Sequence, residues 1–140
     1  MELWPVLLVE DQPDDQFLTL RTLKKLKINN VTVACEGDEA LRYLEERLDS
    51  SPAPHSPLPE LIILDLRMPK VDGFQFLERA TADERMRDIP VVVLSSSFQE
   101  SDRSRCRDLG VKAYLKKPLE IDSFDRVIRS IRSRCTVLPF

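Results

Sequence analysis

An α/β fold with one parallel sheet, covered by helices on both faces, is what this chain predicts, and three features predict it. Strand-like and helix-like patterns alternate five times along 140 residues, close to the roughly 30 residues that each strand–helix–strand unit needs. Candidate strands 3–9, 61–64 and 90–95 are continuous apolar runs rather than alternating ones, as expected of strands buried on both faces. No internal repeat or long linker interrupts the alternation, so residues 1–140 read as one domain.

The elements follow in order. "LWPVLLV" (3–9) is the first strand. "PDDQFLTLRTLKKLK" carries Phe17, Leu20, Leu23 and Leu26 at helical spacing, with Asp14 and Asp15 in its first turn and lysines in its last, where the helix dipole favours them. "VTVA" (31–34) is a short second strand, and "GDEALRYLEERL" repeats the helical pattern with Ala40, Leu41, Leu44 and Leu48. "LIIL" (61–64) is the third strand, and "FQFLERA" opens the third helix. "PVVVLS" (90–95) is the fourth strand, and "QESDRSRCRDLG" is a polar helix with Gly110 as its C-cap. "VKAYLKK" (111–117) is the fifth strand. "IDSFDRVIRSIRSRC" is the last helix, apolar at Ile121, Phe124, Val127, Ile128 and Ile131. Only "TVLPF" remains after it, so no output domain is expected.

Composition narrows the function. Apolar residues make up 42% and charged residues 32%, an ordinary globular balance. No apolar run approaches membrane-spanning length, and "MELWPVLLVED" lacks a basic region and a cleavage site, so the expectation is a cytoplasmic protein without a membrane role. A net charge of -3 argues against nucleic acid as a partner. Cys35, Cys106 and Cys135 are odd in number and far apart, which reads as free thiols rather than a metal site. His55 sits among four prolines in 50–59, a segment read as a stiff loop at the amino-end side of the sheet, remote from any active cleft.

Ligands of open α/β sheets gather at the carboxyl ends of the strands. Strand one ends in Glu10 and Asp11, strand three in Asp65, strand four in Ser95 and strand five in Lys117. In the flavodoxin-like order 2-1-3-4-5, strands one and three are central neighbours. Three carboxylates would then share one cleft with one ammonium and one hydroxyl at its rim. Singly, Asp11 also reads as a cap, Ser95 as a loop hydroxyl and Lys117 as a solvated charge. Together, three like charges need a cation or a proton between them, and hard oxygen ligands with room for water suit Mg2+. An Asp beside such a cation is a competent nucleophile towards phosphorus. Transfer then needs mainly alignment and charge neutralisation.

These residues resemble the receiver domains of two-component response regulators. The likeness runs from "VLLVED" through "EALRYL", "LIILDLRMPKVDG" and "IPVVVLSSS" to "AYLKKP". It implies that Asp65 accepts a phosphoryl group, that Glu10, Asp11, Asp65 and the backbone carbonyl of Arg67 hold Mg2+, and that Lys117 contacts the phosphoryl group. It further implies a cis bond between Lys117 and Pro118, a switch hydroxyl at Ser95 and a switch aromatic at Tyr114. Gly73 matches the glycine after the phosphorylation loop, where backbone freedom helps the turn. Glu10 stands where Asp is commoner, and Ser95 where Thr is more usual. Arg67 lies two residues beyond Asp65, placed to pair with the phosphoryl group, to exclude water or simply to be solvated. The proline-rich insert and "VVVLSSS" are similar to single-domain regulators paired with phytochrome-type kinases. The resemblance implies a sensor histidine kinase or phosphotransfer protein as partner. It also implies a homodimer through the helix 4–strand 5–helix 5 side, with Ile128, Ile131, Val137 and Leu138.

Three other readings compete. A haloacid-dehalogenase-type phosphatase wants an Asp where Arg67 stands. A flavodoxin-like carrier would cradle a phosphate with Ser, Thr and Gly, whereas the first loop here is "EDQPDD" and the chain has three glycines. A pseudo-receiver, an interaction module that keeps the fold without phosphorylation, stays open through the departures at Glu10 and Ser95.

Overall fold

The computed structural model describes residues 5–49, 58–68 and 72–133. Ten elements alternate through them: β1 (Val6–Val9), α1 (Pro13–Lys25), β2 (Val31–Ala34), α2 (Gly37–Asp49), β3 (Leu61–Leu64), α3 (Gly73–Ala82), β4 (Val91–Ser95), α4 (Glu100–Asp108), β5 (Ala113–Lys116) and α5 (Ile121–Ser133). The strands form one parallel sheet in the order β2-β1-β3-β4-β5, the doubly wound flavodoxin-like arrangement expected.

The apolar runs explain the layering. Side chains alternate across a strand, so each central strand feeds two cores. Leu7, Val9, Ile62, Leu64 and Val93 pack with Leu44 of α2 and Phe76 of α3 on one face. Val6, Leu8, Leu61, Ile63, Val92 and Leu94 pack with Leu23 of α1 and Phe124 of α5 on the other. All of these are 2% exposed or less, so no residue of β1, β3 or β4 has a polar face to give away.

Some boundaries move. β4 begins at Val91 because Pro90 has no N–H to give the ladder, although its carbonyl accepts from Ile62 N at 2.9 Å. β5 begins at Ala113, since Val111 is drawn back to close α4. There Gly110 N donates to the Arg107 carbonyl (3.1 Å) and Val111 N to the Cys106 carbonyl (3.0 Å). That pair is a Schellman motif, and it puts Gly110 (φ 84) one residue past the cap, Leu109. Phe17, counted with the apolar face of α1, is instead 63% exposed, and Thr19, Thr22 and Leu23 are the buried positions there. Ile121 likewise stays 38% exposed.

Of the residues expected on a dimer face, Ile128 is committed to the chain's own core and Ile131 is partly buried against it. Val137 and Leu138 lie outside the described residues, as do His55, Cys135 and the segment 50–57. Cys35 and Cys106 are free thiols, and burial pushes the Cys106 thiol up to about 12, too high for reactivity at neutral pH. Among the described residues no helix is long and apolar enough to cross a membrane.

Candidate functional site

Backbone hydrogen bonds extend the sheet one residue beyond its strands, and that extension places the site. Glu10 N donates to the Ala34 carbonyl (3.0 Å), Asp65 N to the Val9 carbonyl (3.0 Å) and Lys117 N to the Ser95 carbonyl (2.9 Å). These three residues therefore sit at the carboxyl edge, held by the ladder rather than by loose loops, beside Ser95 at the end of β4. The Lys117–Pro118 bond is cis, as the resemblance implies.

The carboxylates converge. Ligand oxygens of Glu10, Asp11 and Asp65 all lie within 4.8 Å of one another. Glu10 is 1% exposed and Asp65 6%, an expensive place for two acids. Lys117 supplies the counter-charge: its Nζ lies 2.8 Å from Glu10 Oε1 and 3.6 Å from Asp65 Oδ1. It also lies 2.8 Å from Asp15 Oδ2. One ammonium thus faces three carboxylates. Burial pushes the Glu10 carboxyl up to about 7, only partly opposed by its bond to Lys117. Burial likewise raises Asp65 above the usual carboxylate range, against the pull of Lys117. Burial alone would lower the Lys117 ammonium, but its bonds to Asp15 and Glu10 hold it above its ordinary value.

A cation fits this set. Asp11 Oδ1 is buried with no hydrogen-bond partner, and a buried carboxylate oxygen left unpaired is costly. Its other oxygen accepts from Gln12 Nε2 at 3.2 Å. Glu10, Asp11 and Asp65 converge with only the Lys117 ammonium beside two of them, and a divalent hard cation would neutralise the remaining charge. The backbone of Arg67 adjoins the cluster, its N–H 3.4 Å from Asp65 Oδ1.

Ser95 and Tyr114, expected as the switch pair, are both hydrogen-bonded. Ser95 is fully buried and its Oγ accepts from Ser97 N at 3.1 Å. Tyr114 already points inward, 2% exposed, and its hydroxyl donates to the Ser97 carbonyl at 2.7 Å. Its ring leans on Phe98, centroids 5.6 Å apart. Gly73 serves by close approach rather than by backbone freedom. A Cβ there would meet Leu66 Cα at 2.6 Å and the Asp65 carbonyl at 2.7 Å.

The Arg67 side chain is 57% exposed and pairs across the fold. Its Nη2 donates to Asp102 Oδ2 on α4 at 2.7 Å. Sequence reasoning missed two acids here. Its place in the first turn makes Asp15 a charge that complements the helix dipole, although "EDQPDD" crowds more acids into one loop than a dipole needs. Asp102 lies in a helix read as wholly polar, yet it is four residues before the buried Cys106 and so on the same inward face.

Comparison with known proteins agrees with this geometry. A bacteriophytochrome response regulator, AtBRR, superposes with a TM-score of 0.79 at 42% identity, covering 94% of each chain. The phosphorylated cyanobacterial phytochrome response regulator RcpA gives a TM-score of 0.72 at 32% identity, covering 92% of this chain and 91% of that one. Response regulator Rcp1 of Synechocystis sp. is 33% identical over 129 residues, 91% of this chain and 86% of its own length. Its Mn(2+)-bound form superposes with a TM-score of 0.72, covering 96% and 98% of the two chains. The family model described as the response regulator receiver domain matches residues 6–129, and the chain belongs to that family.

Proposed function

We propose that this chain is a phosphorylation-dependent signalling switch in a two-component relay, with Asp65 as the phosphoacceptor. The observation that carries the reading is the Asp65 carboxylate itself. It is 6% exposed, raised above its ordinary pKa, and set between Lys117 and the Glu10–Asp11 pair at the carboxyl edge of the sheet. A receiver of a phytochrome-type histidine kinase, or of a phosphotransfer protein, is the assignment favoured by the likeness to AtBRR, RcpA and Rcp1.

An Asp65 carboxylate oxygen attacks the phosphorus of a phosphohistidine. The P–N bond breaks, the imidazole leaves with its electron pair and takes a proton from solvent, and Asp65 becomes an acyl phosphate. Lys117 is within one side-chain adjustment of the new phosphoryl oxygens, and leaving Glu10 for them exchanges one charge-assisted bond for another. Ser95 supplies a hydroxyl that can move from Ser97 N to the phosphoryl group. Glu10, Asp11, Asp65 and the Arg67 carbonyl would hold Mg2+, which neutralises the charge that transfer accumulates. The altered α4–β5–α5 surface then changes affinity for a protein partner. A homodimer on that side would use residues other than Ile128. A cytoplasmic location belongs to the same reading.

The test is intact-protein mass after incubation with a small-molecule phosphodonor, with and without Mg2+, beside Asp65→Asn. The expected result is one Mg2+-dependent phosphoryl gain that Asp65→Asn abolishes. A phosphoryl group still carried by Asp65→Asn would overturn the assignment. No gain, with no binding of fluoroberyllate either, would make the chain a pseudo-receiver.

A further inference from the structure

We propose that Arg67 is a partner-exchanging cation that couples the phosphoacceptor loop to α4. Asp102 holds it in the unphosphorylated chain. On phosphorylation it moves to the phosphoryl oxygens and leaves Asp102 behind. The proposal rests on the phosphoacceptor reading of Asp65.

Three observations point to it. Arg67 is tethered to the reacting carboxylate, with its N–H 3.4 Å from Asp65 Oδ1, while its guanidinium reaches across to Asp102 Oδ2 at 2.7 Å. The two ends of that ion pair are unequally buried: the Arg67 side chain is 57% exposed and the Asp102 side chain 11%. The cation can leave through solvent, but the acid cannot follow it into water unless α4 moves. A phosphoryl dianion offers a guanidinium more charge and a bidentate seat than the single Asp102 oxygen it now holds.

The consequence converges on Ser97. Asp102 Oδ2 also accepts from Ser97 Oγ at 3.3 Å. Ser97 N donates to Ser95 Oγ, and the Ser97 carbonyl receives the Tyr114 hydroxyl. Withdrawal of Arg67 leaves a buried carboxylate supported by one hydroxyl, a state that is relieved by hydrating Asp102 and shifting α4. The β4–α4 loop is then pulled from two sides, by Ser95 turning to the phosphoryl group and by Asp102 losing its cation. Asp102 is accordingly a positioning residue, acting on the phosphoryl site only through Arg67.

The test is fluoroberyllate affinity in saturating Mg2+, measured by tyrosine fluorescence for the unsubstituted chain, Asp102→Asn, Arg67→Ala and the double variant. Asp102→Asn frees Arg67 in advance, so it should bind fluoroberyllate about three- to tenfold more tightly. In the Arg67→Ala background the same substitution should change affinity by less than about twofold. Asp102→Glu should behave like the unsubstituted chain. A second measurement needs no change at Asp102: the Arg67 Nε–H resonance should shift when fluoroberyllate is added. An unchanged resonance overturns the proposal, as does an Asp102→Asn effect of equal size with and without Arg67. If the unsubstituted chain binds no fluoroberyllate, the phosphoacceptor reading falls and takes this proposal with it. Binding without the coupling sinks the Arg67 exchange alone.

Discussion

The Lys117 ammonium donates to the Asp15 carboxylate at 2.8 Å, across 102 residues of sequence. Through this bond the first turn of α1 and the end of β5 share one charge. The two partners differ in weight. Asp15 is 34% exposed in its side chain, whereas Glu10 is 2% and Lys117 13%. Lys117→Met would leave Glu10 and Asp65 facing each other without a counter-charge, a loss of about 2–4 kcal/mol at neutral pH without metal. Asp15→Asn removes a half-solvated partner and should cost less than about 1 kcal/mol. Urea denaturation of both variants, with and without Mg2+, checks the contrast. Added Mg2+ should recover much of the Lys117→Met loss.

Glu10 makes the site sensitive to pH. Its carboxyl moves from an ordinary 4.5 to about 7 on folding. The folded chain therefore binds this proton more tightly than the unfolded chain. The stability it contributes is fully present below 4.5 and is lost as pH rises through about 7. At about 1.4 kcal/mol per unit, the loss amounts to roughly 3 kcal/mol. Asp65 is raised in the same sense. Metal binding needs the deprotonated carboxylates, so it should release a proton near pH 6.5 and tighten as pH rises towards about 7.5. Calorimetric Mg2+ titrations in two buffers of different ionisation enthalpy count that proton. In Glu10→Gln the proton release should shrink and the affinity should fall.

How much of this the sequence disclosed depends on whether a feature was local. The five strand–helix units and the placing of Glu10, Asp11, Asp65, Ser95 and Lys117 follow from apolar runs that end in polar residues, while the sheet order came from the flavodoxin-like arrangement. Both the strand pattern and the carboxyl-edge rule are local signals. What escaped were side-chain partners chosen across the fold, Asp15 for Lys117 and Asp102 for Arg67, which no periodicity encodes. The exposure of Phe17 escaped for a related reason. Helical spacing gives a stripe, but which flank of the stripe turns inward is set by the packing of α1 on the sheet and α5.

The C-terminus of α1 is a case where a generic signal was absent. Lys27 N donates to the Lys24 carbonyl and Ile28 N to the Leu23 carbonyl, both at 2.9 Å. This is the same Schellman closure as at Gly110, but the left-handed position is held by Lys27 with φ 64. A side chain there is strained by roughly 1 kcal/mol, and glycine relieves it while adding some freedom to the unfolded chain. Lys27→Gly should therefore raise stability by about 0.5–1 kcal/mol, read as a rise in the thermal midpoint without loss of phosphodonor reactivity.

At Gly73 two effects oppose each other, and their sizes decide the sign. It is the first residue of α3, behind a complete Asp72–Gln75 capping box, so helix propensity alone would favour alanine by up to about 1 kcal/mol. A Cβ at this position, however, would stand 2.6 Å from Leu66 Cα and 2.7 Å from the Asp65 carbonyl oxygen. Both are backbone atoms and cannot rotate aside, and Gly73 N is itself bonded to the Leu66 carbonyl at 3.0 Å. Relief requires moving α3 or the backbone that follows β3, at about 1–3 kcal/mol or more. Gly73→Ala should therefore be net destabilising. Because the displaced backbone is that of Asp65 itself, it should also slow phosphoryl gain more than a surface variant of equal stability loss, such as one in the Asp49–Arg85–Asp83 ion pairs. Parallel denaturation and phosphodonor time courses for the two variants separate a shifted acceptor from a merely weakened fold.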